Sequence, residues 1–126
     1  SGNPLATAAG LTVLAHLDDA AYARLEATAA RLADGLRGAF AEAGLPMQVT
    51  QAGTLVGMFL SATPITNYAE AQAADHDTYA RLFHGLLDRG VWFAPSGYET
   101  LFPSLAHTDD DVDRTVAIAR EAAAAL

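Results

Sequence analysis

Residues 90–113 read GVWFAPSGYETLFPSLAHTDDDVD, and the order of apolar runs, turn formers and acids in this stretch decides the fold. The apolar runs at 91–93 and 101–105 predict two short strands, and Pro95 and Gly97 between them end one and shape a surface loop before the other. One loop is thereby presented by two strands. Its centre carries Glu99, a lone carboxylate with Tyr98 before it and Leu101 and Phe102 after it. Binding residues gather on loops held by a rigid scaffold, although an isolated acid is more often an ordinary solvated loop residue. On the residues alone both readings stand. Thr108 then reads as the N-cap of a final helix with Asp109, Asp110 and Asp111 in its first turn, where carboxylates meet the positive end of the helix dipole. That explains the acidic run without a metal. The inward face of this helix is expected at Val112, Val116, Ala119 and Ala123.

Upstream, the pattern is helical. Asp75 or Asp77 can cap a helix over about 75–88 that Gly90 closes, with Tyr79, Leu82, Phe83, Leu86 and Leu87 on one side. His76 is expected to face water and His84 to be a partly buried, hydrogen-bonded residue or an interface residue. A metal site built from Asp75, His76, Asp77 and His84 is the weaker alternative. His107 lacks a Ser or Asp at the spacing of a triad and reads as structural. Residues 47–51 alternate apolar with polar and are followed, across the turn begun by Ala52-Gly53, by the apolar run 55–60; so short a connection predicts an antiparallel pair. Gly57 inside the second strand suggests a close approach of another backbone. Residues 61–72 form a polar connection with a short helical portion near Ala69. Further upstream, a core stripe of Tyr22, Leu25, Ala29, Leu32, Leu36 and Phe40 predicts a long helix started by Asp18 or Asp19 and ended by Gly44 and Pro46. Asn3 and Pro4 begin a first helix by the cap-then-proline signal. Leu5, Leu11, Val13, Leu14 and Leu17 leave that helix little polar face, so it is expected to be buried on several sides or covered by a partner domain.

The sum is an α/β protein: a two-layer sandwich with a small, mainly antiparallel sheet of three or four strands covered by long helices. The 126 residues suffice for one domain, 1–126, divided into a connecting helix at 1–17 and an α/β unit at 18–126. Fifteen acidic against seven basic side chains give a net charge of −8, which disfavours nucleic acid and anionic membranes as partners. The absence of cysteine excludes disulfides and thiolate metal sites. Without a leader or a membrane-length apolar run, the chain reads as cytoplasmic. All seven basic residues are Arg, at 24, 31, 37, 81, 89, 114 and 120, and there is no Lys.

The stretch 90–115, GVWFAPSGYETLFPSLAHTDDDVDRT, resembles the C-terminal signature of the glutamate-1-semialdehyde 2,1-aminomutases, a branch of the class III, fold-type I enzymes dependent on pyridoxal 5′-phosphate (PLP). Ser1-Gly2-Asn3-Pro4-Leu5-Ala6 is similar to the segment that follows the family's phosphate-binding threonine. Asn67-Tyr68 and Phe83-His84-Gly85 are similar to two further segments, in the same order and at the same intervals. The resemblance implies the small C-terminal domain of that fold, a missing N-terminal PLP-binding large domain, a homodimer, and a parent enzyme that converts an amino-aldehyde, glutamate 1-semialdehyde, to 5-aminolevulinate for tetrapyrrole synthesis. It implies that Glu99, with Ser96 and Tyr98, faces substrate, and that Ser1, Gly2 and Asn3 approach the cofactor phosphate. Aminotransferases of this fold commonly hold the substrate carboxylate with an Arg in this domain, whereas this chain has none between Arg89 and Arg114. Gly97-Tyr98 and Thr100-Leu101 depart from the usual pattern, which implies a freer loop and a phenolic hydroxyl beside Glu99. A PLP enzyme needs a primary amine for its Schiff base, so the resemblance implies that this chain alone contains no catalytic residue and is inactive. The alternatives are the same domain of a class III ω-aminotransferase, or a non-catalytic binding or dimerisation module.

Overall fold

Five helices and three strands follow one another in a computed structural model that describes residues 2–126. They are α1 (Pro4–Ala15), α2 (Asp19–Glu42), β1 (Met47–Ala52), β2 (Leu55–Leu60), α3 (Tyr68–Gln72), α4 (His76–Leu87), β3 (Thr100–Leu101) and α5 (Asp109–Ala124). The sheet has the order β1-β2-β3 and is antiparallel throughout. Met47 opposes Leu60 and Ala52 opposes Leu55, so β1 and β2 are joined by the two residues Gly53 and Thr54. Only Gly53 of these two has positive φ, at 56°, the type II′ pattern that lets a two-residue hairpin follow the strand twist.

Helix α2 packs on β1 and β2 and α4 on β2, and α5 lies against both α2 and α4. Leu36, Phe40, Val56, Leu82 and Leu86 are the largest fully buried side chains. Each such burial stabilises by about 1.5–3 kcal/mol relative to exposure. Alanines fill much of the rest: Ala29, Ala33, Ala39, Ala119, Ala122 and Ala123 are buried, so the helices approach closely where they cross. Closest of all is Gly35, where a Cβ would stand 2.4 Å from Val116 Cγ2. The caps are as the sequence predicts: Asp18 Oδ1 accepts from the Ala21 N–H at 2.8 Å, and Asp75 Oδ1 from the Thr78 N–H at 2.9 Å. Thr108 and Asp111 form a reciprocal capping box. Gly44 ends α2 at φ +70°, its N–H donating to Ala41 O and that of Leu45 to Phe40 O. Gly90 ends α4 in the same way at φ +87°, with Gly90 donating to Leu87 O and Val91 to Leu86 O; both are Schellman endings.

Several expectations are corrected. Residues 91–93 are not a strand, and of 101–105 only Leu101 is paired, as part of β3. Val91 is buried and Phe93 half-buried by packing on the core rather than by a ladder, and Pro95 and Pro103 lack the N–H that pairing on either side would need. Tyr22 is 47 % exposed because the first turns of α2 project beyond the core. Leu87 is also exposed, lying on the rim of α4. At Gly57 the close neighbour is a cross-strand side chain, since a Cβ would meet Thr50 Oγ1 at 2.9 Å, and not another backbone. Helix α1 is capped by Asn3, whose Oδ1 accepts from the Leu5 N–H at 2.9 Å. None of its residues is buried, and Leu5, Leu11, Val13 and Leu14 are all more than half exposed. Among the described residues no helix is long and apolar enough to cross a membrane.

Candidate functional site

The loop between α4 and β3 is built on α4. Tyr79, buried at 5 % exposure, reaches out of the helix and donates its hydroxyl proton to Ala94 O at 2.9 Å, which fixes the chain just before Pro95. Removal from water pushes the Tyr79 phenol up to about 12, with the nearby Glu99 carboxylate acting in the same direction. Residues 96–99 then make a tight turn, with the Glu99 N–H donating to Ser96 O at 3.1 Å and the Tyr98 N–H to Ser96 Oγ at 3.3 Å. Gly97, buried at the heart of that turn, lies flat on α4: a Cβ there would meet His76 Nδ1 and Tyr79 Cγ, both at 3.4 Å.

His76 is therefore not turned to water. Its Nε2 stands 3.0 Å from Ala71 O, so this nitrogen carries the proton and donates, and its ring stacks on Tyr98 with centroids 4.6 Å apart and planes tilted by 23°. Tyr68, at the first position of α3, extends the group, 6.1 Å from Tyr98. Glu99 is exposed at the end of this arrangement, and among the described residues no Arg forms an ion pair with it. The cations nearby in sequence are otherwise engaged: Arg81 donates to Thr78 Oγ1 and Arg89 to Gly85 O. The turn thus offers a carboxylate, a phenol and a hydroxyl, a set suited to binding an amino group and unsuited to holding an anion.

Ser96, Tyr98 and Glu99 are brought together, as the sequence places them. Asn3 caps α1, and among the described residues no hydrogen bond joins it to the 96–99 turn. A Cβ on Gly2 would meet nothing within 4 Å, and Ser1 lies outside the described residues. His84 is exposed, edge-on to Phe83 at 5.3 Å, where the sequence predicts partial burial or an interface; it sits on the outward edge of α4. His107 accepts from the Ser104 N–H through Nδ1 at 2.9 Å and so closes a local turn. Among the described residues no three His, Asp or Glu side chains come together as a metal site would require. Sequence reasoning missed the support given by His76 and Tyr79; the signal for Tyr79 is a polar aromatic on a core stripe, which needs a partner for its hydroxyl. A separate open groove of about 400 Å³ runs between the arms of the loop, lined by Leu32, Trp92, Phe93, Leu101, Phe102 and Val112 among others. Neither the 96–99 turn nor His76 or Tyr79 lines it.

No family model matches the chain. It is 47 % identical over 120 residues, 95 % of its length, to glutamate-1-semialdehyde 2,1-aminomutase of Anaeromyxobacter dehalogenans strain 2CP-1, and 42 % identical over 124 residues to that of Thermus thermophilus. The matched part is 28 % and 29 % of those relatives, so the chain spans somewhat over a quarter of their length. Among solved structures it is similar to an ω-transaminase from Sphaerobacter thermophilus, with a TM-score of 0.79 and 27 % identity over 96 % of this chain and 28 % of that one. It is also similar to a glutamate-1-semialdehyde-aminomutase from Pseudomonas aeruginosa PAO1 in complex with PMP, with a TM-score of 0.74 and 27 % identity over 84 % of this chain and 23 % of that one. On sequence and on fold alike, the chain is similar to about a quarter of the length of glutamate-1-semialdehyde 2,1-aminomutases and of transaminases that share their fold.

Proposed function

We propose that the protein of which this chain is the C-terminal domain converts glutamate 1-semialdehyde to 5-aminolevulinate, as a cytoplasmic homodimer that feeds tetrapyrrole synthesis. The observation that carries the proposal is the exposed Glu99 carboxylate, on a turn anchored to α4, in a domain 42–47 % identical to proteins of that name. The substrate has one carboxylate and moves an amine along its own chain. A carboxylate at the binding turn attracts the amino group and repels a second substrate carboxylate, and that exclusion is as much a part of specificity as the attraction. The Tyr98 hydroxyl and Ser96 Oγ supply further polar contacts beside it.

PLP, where bound, supplies the carrier for the amine. This chain cannot hold its aldehyde end, because the chain has no Lys, and the residues present do not make a cofactor site by themselves. Gly2 and Asn3 are proposed to face the cofactor phosphate through main-chain N–H groups; the Asn3 Oδ1 is already engaged by the Leu5 and Ala6 N–H groups. The chain alone is therefore expected to be inactive, with the large domain providing the amine carrier. A class III ω-aminotransferase is the second reading, favoured by the likeness to the Sphaerobacter enzyme and opposed by the lack of any Arg between Arg89 and Arg114.

Glu99→Gln, made in the longer protein, tests the assignment, because it keeps the shape and removes the charge. Loss of about tenfold or more in kcat/KM for glutamate 1-semialdehyde, about 1.4 kcal/mol, is the expected result for one charge-assisted contact. Unchanged kinetics would remove Glu99 from the site.

A further inference from the structure

We propose that His76 is the positioning residue of the 96–99 turn: its ring, tied to Ala71 O, carries the stacked Tyr98 and seats Gly97, and so sets where Glu99 stands. The inference rests on the substrate-facing reading of Glu99 and adds to it the device by which an exposed carboxylate is given a fixed place.

Three contacts meet on this one side chain. Nε2 is held by Ala71 O at 3.0 Å, at the end of α3. One ring face stacks on Tyr98, 4.6 Å between centroids. Nδ1 lies where a Cβ on Gly97 would come within 3.4 Å. The imidazole thus ties α3, α4 and the turn together, and it does so beside Tyr79, which fixes the same loop two residues before Ser96 through Ala94 O. Tyr79 anchors the chain entering the turn, but it makes no hydrogen bond to residues 96–99. With His76 absent, Tyr98 loses its stacked partner and Gly97 one of its two supports, and the turn ahead of β3 is left to the Glu99 and Tyr98 N–H bonds to Ser96 and the contact of Tyr98 with Tyr68. An exposed acid then samples many positions, and binding through it weakens because the order must be imposed at the moment of binding. Glu99 contacts the amino group before and during reaction, so loss of its position raises KM more than it lowers kcat.

The test uses the longer enzyme with His76→Ala and His76→Phe. The Phe variant keeps a flat ring for Tyr98 and loses the bond to Ala71. His76→Ala is expected to raise KM for glutamate 1-semialdehyde about tenfold with kcat changed by less than about threefold, and His76→Phe to recover most of that loss. In parallel, the His76 ring protons are followed by NMR in the parent and in Tyr98→Leu; stacking on Tyr98 shifts them upfield, and the substitution is expected to abolish the shift. Equal KM values in parent, Ala and Phe variants of matched stability would overturn the proposal, as would Ala and Phe variants equally impaired. An unshifted His76 signal in the parent would overturn it independently of any turnover. Should the parent form no 5-aminolevulinate, the failure lies with the proposed reaction, while the ring shifts still decide whether His76 holds the turn.

Discussion

Gly35 lies where α2 and α5 cross, and its replacement by Ala sets two opposed effects against each other. In the interior of a helix Ala is more favourable than Gly by about 1 kcal/mol. The new Cβ, however, would stand 2.4 Å from Val116 Cγ2, 3.0 Å from Cγ1 and 3.3 Å from Cβ, against the roughly 3.5–4.0 Å that two carbons prefer. Val116 is β-branched and on a helix, so it has one favoured rotamer and cannot swing aside. Relief must come from separating the helices, at a cost of about 1–3 kcal/mol for one extra methyl in a packed site. The close contact wins, and Gly35→Ala is expected to destabilise by about 1 kcal/mol net, which lowers Tm by about 3–6 °C for a chain of this size. Val116→Ala removes the obstructing methyls. In that background Gly35→Ala is expected to reverse sign and stabilise by up to about 1 kcal/mol, giving a coupling of about 2 kcal/mol in a double-mutant cycle. Urea unfolding followed by far-ultraviolet circular dichroism reads all four proteins through the shift in midpoint at constant m. Gly35→Ala that stabilises the parent, or that acts equally in both backgrounds, would refute the packing argument.

Two further outcomes concern pH and capping. Ultraviolet titration is expected to show a tyrosine ionising at about 12, absent in Tyr79→Phe, because burial and the Glu99 charge both oppose the phenolate. A folded-state value raised above the usual 10 contributes stability that is complete below pH 10 and is lost as pH rises through about 12; denaturation midpoints should fall over that window in the parent and not in Tyr79→Phe. Thr108→Ala removes the hydroxyl that accepts from the Asp111 N–H and donates to its carboxylate, and is expected to cost about 0.5–2 kcal/mol. Thr108 also holds the Asp111 carboxyl below its usual range; the part of the cap made to that carboxylate, unlike the bond from the Asp111 N–H, is present above about pH 4 and is lost on further acidification, so urea midpoints at neutral and at acid pH should differ less in the variant.

The parts of this fold that could be read in the sequence are those whose cause is local. Asp18, Asp75 and Thr108 each accept from an N–H group three residues ahead, Gly44 and Gly90 take positive φ, and the stripe from Leu25 to Phe40 repeats at helical spacing, so α2, α4 and α5 were legible with their ends. The β1–β2 hairpin was legible from Gly53. What could not be read depends on residues far apart. Val91 to Phe93 has the composition of a strand, but its burial comes from packing beside the core, and apolarity alone cannot say whether a backbone is paired. Leu101 and Phe102 likewise look alike in sequence, yet Leu101 pairs with Val56 and Phe102 is 71 % exposed. The site divides in the same way. Ser96, Tyr98 and Glu99 are neighbours along the chain and their grouping was visible, whereas the support from His76 and Tyr79 arises only when α4 folds beneath the turn. Helix α1 reads in the sequence as a helix needing cover; its large apolar residues Leu5, Leu11, Val13 and Leu14 stand exposed on the domain.

The most direct measurement takes the longer protein through its large domain, with glutamate 1-semialdehyde labelled with nitrogen-15 and neither an amine donor nor a keto acceptor added. The expected result is 5-aminolevulinate carrying the label, formed over many turnovers, and none from the 126-residue chain alone. Absence of product from the longer protein, with turnover appearing only when a separate donor and acceptor are supplied, would contradict it and make the protein an aminotransferase.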